Sequence, residues 1–105
     1  MTTNREIVVG IATEANGKAR NGELEFTSAC VVEAIRLCTT RNVAVLGVDI
    51  FRIRGGMYET TRLSSYALPD RNGTDYAAAI NTLAEEFVRM NPADEQHVYL
   101  LTVAA

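Results

Sequence analysis

The chain has 105 residues, 48% of them hydrophobic and 22% charged, the balance expected of one soluble globular domain spanning residues 1–105. Folding at this length buries roughly two-thirds of the surface, enough for one core but not for a deep cavity with a separate lid, which disfavours an enzyme for large substrates. Ten Lys and Arg against thirteen Asp and Glu give a net charge of −3, so no nucleic acid is expected as partner, since phosphate binding relies on a net basic face.

The opening stretch REIVVGIATEANG carries Ile7, Val8, Val9 and Ile11, a spacing that fits either a short helix or a five-residue strand. Asn16, Gly17, Lys18, Arg20, Asn21 and Gly22 then read as a loop. With neither a basic n-region nor a long apolar core at the start, and with no 18-residue apolar span, the chain is expected to be cytoplasmic and not to enter a membrane.

From Glu23 the pattern sharpens. Leu24 and Phe26 precede Thr27, which can cap a helix of about 13 residues whose apolar positions Val31, Ile35 and Cys38 recur at helical spacing. Asn42 suits the left-handed position that ends it. Cys30 and Cys38 lie eight apart on this helix, so their Cα atoms would be about 12 Å apart and could not be bridged. Val43 to Arg54, Gly55-Gly56 and Met57 to Arg62 read as two strands and a tight turn. Leu63 to Gly73 is rich in turn residues and reads as an irregular loop. Thr74 can cap a second helix, which runs through Tyr76, Ala79, Ile80, Leu83, Ala84, Phe87 and Val88 with Asn81, Glu85, Glu86 and Arg89 on its polar face, and ends at Asn91-Pro92. His97 to Val103 closes the chain as a mostly buried strand. These elements predict an α+β fold: a small antiparallel or mixed sheet, including a central hairpin, covered by two helices.

Few residues suggest chemistry. The single histidine, His97, cannot supply a Ser/His/Asp arrangement or a multi-histidine metal site, and no dinucleotide or phosphate-loop glycine pattern occurs. No cofactor is expected. Asp49 is the anomaly, an acid inside the apolar run VAVLGVDIFRIRGG. On strand alternation it shares a face with Val43, Val45, Gly47, Phe51 and Ile53, unless a bulge near Gly47 shifts the phase. A lone buried carboxylate is costly, so Asp49 must be exposed, paired, or part of a binding pocket. Arg52 and Arg54 lie on the strand's other face next to Tyr58 and Glu59 of its partner, and either stabilise a solvated sheet face or anchor a partner. Tyr66 and Asp70 fall in the irregular loop.

The segment ELEFTSACVVEAIRLCTTRNVAVLGVDIFRI, Glu23 to Ile53, resembles the core of the Immunity protein 40 family of bacterial polymorphic toxin systems. The family pattern is a Ser/Thr-capped helix followed by a strand of the type Ile/Val-Leu-Gly-Gly-Asp-Val-Tyr, a hairpin, an aromatic-containing loop, a second helix and a closing strand. Val45, Leu46, Gly47, Asp49, Ile50 and Phe51 occupy the matching places. Val48 replaces the second glycine, Phe51 replaces the tyrosine, and the chain has no tryptophan. The resemblance implies a protein that performs no chemistry and neutralises a cognate protein toxin by occlusion. Its contact surface would then comprise Arg52, Arg54, Tyr58, Glu59, Tyr66, Asp70 and Asp49. The rival expectation is a small-ligand binder or small enzyme that uses Asp49 in a pocket. Oligomeric state stays open.

Overall fold

A computed structural model describes residues 4–20, 23–63, 76–94 and 96–104. In chain order the elements are α1 (Asn4–Glu14), β1 (Lys18–Arg20), β2 (Glu23–Phe26), α2 (Val31–Thr40), β3 (Val45–Arg54), β4 (Met57–Leu63), α3 (Tyr76–Met90) and β5 (His97–Val103). The strands form one sheet in the order β1-β2-β5-β3-β4, every neighbouring pair antiparallel.

The α+β class and the hairpin are as the sequence predicts, but the hairpin lies at one edge of the sheet and not at its centre, and among the described residues three helices, not two, pack on the sheet. The third is the opening segment. Val8, Ile11, Ala12 and Ala15 are buried, and Ile7 packs beside them. Three β-branched residues in a row and Gly10 lower its helix propensity, so it is the tertiary burial of this stripe that decides its conformation. The same Asn-terminated stop ends α1 and α2. Asn16 (φ 58°) and Asn42 (φ 57°) are left-handed. The N–H of Gly17 then reaches Ala12 O at 2.7 Å, and that of Val43 reaches Cys38 O at 2.8 Å. This backbone pattern satisfies carbonyls that a helix end would otherwise orphan. Gly17 is required by close approach: a Cβ there would collide with the Phe26 ring and the Glu25 carbonyl. Lys18–Arg20, expected as loop, pairs with β2 as a short edge strand.

α2 is shorter than expected. Cys30 stands at its N-cap without a side-chain cap, and it is the carbonyl of Thr27, not its hydroxyl, that accepts the N–H groups of Cys30 and Val31 at 3.1 and 3.0 Å. A turn therefore replaces the predicted first helical turn. The predicted cap of α3, Thr74, lies outside the described residues, as does most of the expected loop, with Tyr66 and Asp70.

Cross-strand rows Leu24–Leu101–Val48 and Phe26–Tyr99–Ile50 line the helix-covered face. They meet Val31, Ala34, Ile35 and Cys38 of α2 and Ala84 and Val88 of α3 in one core. Burying each large apolar side chain of this kind contributes roughly 1.5–3 kcal/mol. The phase of β3 is set by an irregularity at Leu46, where pairing jumps from Val45↔Val103 to Gly47↔Thr102. Val45 thus joins Val48 and Ile50 in the core, not Asp49, and Leu46 packs with Ala44, Ala77 and Ile80.

One polar residue sits inside this layer. Asn81, expected on the solvated face of α3, is fully buried. Its Oδ1 accepts the Val45 N–H at 2.7 Å, and its Nδ2 donates to Val43 O at 3.0 Å and Thr39 Oγ1 at 2.9 Å. It satisfies the backbone where β3 enters the sheet and joins α3 to the end of α2.

Candidate functional site

The β3–β4 hairpin turns on Gly55 (φ 58°) and Gly56 (φ 79°), the left-handed pair that a two-residue turn between twisted strands demands. Beyond the helices its alternation produces two unlike faces. Pairing of Arg52 with Glu59 and of Arg54 with Met57 places those four residues on one side, and the pair Ile53–Tyr58 lies on the other with Phe51. Sequence reasoning put Tyr58 beside the arginines. The register separates them, because Tyr58 lies opposite Ile53 and not opposite an arginine.

The hairpin end is exposed and apolar at once. Among the described residues, large apolar side chains standing in solvent are Val9, Ile53, Met57, Tyr58 and Met90, and three of these five are on this hairpin, with Met57 at 75% exposure. The signal for Ile53 and Met57 was their position next to a Gly-Gly turn, where strands outrun the helices that could cover them.

Arg52 is held at the hairpin's base. Its Nη2 donates to Gln96 Oε1 at 3.4 Å, and the Ile53 N–H donates to Gln96 O at 2.7 Å. The adjoining turn is stitched by Asp94: Oδ1 accepts the Gln96 N–H at 2.9 Å and meets His97 Nδ1 at 2.6 Å. The hydrogen bond to His97, followed by that from the Gln96 amide, holds the exposed Asp94 carboxyl below the usual carboxylate range. His97 opens β5 opposite Arg52, a strand-end position as expected.

Asp49 lies on the sheet face opposite the helices, half-buried, in the row Glu25–Leu100–Asp49–Leu63. It takes part in a polar or electrostatic interaction and is not an isolated charge. In the same row Glu25, which sequence reasoning passed over, is 7% exposed and accepts a hydrogen bond from Tyr58 Oη at 2.7 Å. The alternation Glu-Leu-Glu-Phe of β2 was the only signal for it. Tyr58 also contacts the Phe51 ring, with centroids 6.2 Å apart.

Among the described residues no three His, Cys, Asp or Glu side chains gather as a metal site, and no helix is long and apolar enough to cross a membrane. Cys30 and Cys38 are free thiols. Burial pushes the Cys38 thiol up to about 11, partly opposed by the nearby Arg41 guanidinium.

Fold and hairpin together define a small α+β domain with an exposed apolar and cationic hairpin. No protein family, curated protein or solved structure matches the chain.

Proposed function

We propose that this protein is an immunity protein that binds a cognate bacterial toxin and neutralises it by occlusion, with the β3–β4 hairpin as the core of its contact surface. The observation that carries the reading is that one hairpin end carries exposed Met57 with Arg54 and Arg52 on one face and exposed Ile53 and Tyr58 on the other. Apolar, aromatic and Arg side chains are the groups that dominate binding energy at protein interfaces. The resemblance of Glu23–Ile53 to the Immunity protein 40 core supports the same reading.

On this reading the protein acts in the cytoplasm and performs no chemistry. A standard interface of about 800 Å² per partner covers the toxin's active cleft. The chain's net charge of −3 favours encounter with a basic toxin, and the hairpin arginines meet acidic groups within its cleft. The test is coexpression with the product of the adjacent gene: rescue of growth and co-purification support the reading. Failure of both across neighbouring toxin-like genes refutes it.

A further inference from the structure

Tyr58 and Glu25 belong to strands three places apart, with β5 and β3 between them, yet Tyr58 Oη lies 2.7 Å from Glu25 Oε1. In a flat sheet this contact could not form. Glu25 shares a row with Asp49, whereas Tyr58 lies opposite Ile53. Three interstrand steps of about 4.8 Å combine with four residues at about 3.3 Å each to separate the two Cα atoms by roughly 19 Å. Extended Tyr and Glu side chains and one hydrogen bond span only about 14 Å.

The hairpin must therefore curl back over the helix-free face. Two features produce the curl: the ordinary right-handed coiling of a long two-stranded ribbon, and the register shift at Ile50/Phe51, where β4 carries an extra residue opposite β3. The curl brings Tyr58 onto Glu25, which is only 7% exposed on a sheet face where none of the described helices packs. It also gives a nearly buried carboxylate the donor it needs.

We propose that the Tyr58–Glu25 hydrogen bond is a clasp that fixes the angle of the hairpin, so that Arg52, Arg54 and Met57 are presented on its outer side in one orientation. Glu25 is thus a positioning residue for the contact surface. The inference rests on the hairpin being that surface, but the clasp is testable in the isolated protein. Tyr58→Phe keeps the ring against Phe51 and removes the donor, and Glu25→Gln keeps the shape and weakens the acceptor.

Hydrogen–deuterium exchange of the whole chain reads the result. Both variants are expected to speed exchange across residues 52–60 at least about fivefold while α2 and the Leu101 region of β5 keep their rates, and the double variant is expected to go no faster than Tyr58→Phe alone. Unchanged rates at 52–60, an equal rise throughout the molecule, or multiplicative effects in the double variant would overturn the clasp. Failure of the contact reading shows elsewhere: Arg54→Glu would then leave toxin affinity unchanged whatever the exchange result.

Discussion

Replacing Asn81 by Leu removes three hydrogen bonds from a fully buried site while keeping the branched outline of the side chain, with two methyl groups in place of the amide O and NH2. The Val45 N–H and the Val43 carbonyl, bonded at 2.7 and 3.0 Å to the Asn81 side chain, are left in the core beside an apolar group. Thr39 is less affected, since its hydroxyl still donates to Ile35 O at 3.1 Å. Each stranded backbone group costs roughly 1–3 kcal/mol, so the variant is expected to lose about 3 kcal/mol. A domain of this size has only about 5–15 kcal/mol in total. The loss corresponds to a fall in melting temperature of roughly 12–24 °C. In urea the midpoint is expected to fall by about 2 M at a slope near 1.5 kcal/mol/M. Urea titration followed by helical circular dichroism measures the change, with Thr82→Val, on the exposed side of α3, as a control expected to stay within about 0.5 kcal/mol. A loss below about 1 kcal/mol for Asn81→Leu would refute the role given to this residue.

Burial of Cys38 makes its thiol both unreactive and a source of alkaline sensitivity. A disulfide reagent at neutral pH is expected to modify Cys30 in the folded chain and Cys38 only after unfolding; rapid modification of both would contradict the packing. Its folded-state pKa is raised from 9.0 to about 11, so the stabilisation is full below pH 9 and is lost as pH rises toward 11. That loss amounts to about 3 kcal/mol, two units at 1.36 kcal/mol each, and Cys38→Ala should flatten this part of the pH–stability curve. At the turn, Gly56 has a φ of 79°, and Gly56→Ala is expected to cost about 1 kcal/mol for placing a Cβ in the left-handed region, read as a lower thermal midpoint. An unchanged midpoint would mean that the turn relaxes to another type.

Much of the fold was legible because periodicity and turn chemistry agreed. The Gly-Gly turn set the hairpin, Asn42 the end of α2, and the apolar run of β5 its burial. What escaped was decided by contacts distant in sequence. Asn81 looks like a solvent-facing residue until α3 is laid against the start of β3, where the Leu46 irregularity turns the Val45 N–H toward it. Thr27 has the side chain of a cap, but β2 ends immediately before it and its carbonyl closes a turn instead. Lys18–Arg20 has no strand pattern of its own and becomes a strand only beside β2. For the candidate site, the sequence brought Arg52, Arg54, Tyr58 and Glu59 to one hairpin, but their division between two faces depends on cross-strand register. Glu25 draws no attention in the sequence because nothing local reveals that the hairpin reaches it.

The proposed function makes the β3–β4 hairpin the surface that meets a protein toxin. Calorimetric titration of the purified chain with the product of the adjacent gene tests it most directly, comparing the natural sequence with the double variant Arg54→Glu, Met57→Ser. Both residues are exposed at the hairpin end, so the variant is expected to fold. Anchors at the centre of an interface contribute about 2 kcal/mol or more, which predicts tight binding by the natural chain and at least a roughly 30-fold weaker complex for the variant. Equal affinity for the two chains, or no binding by either, would contradict the claim.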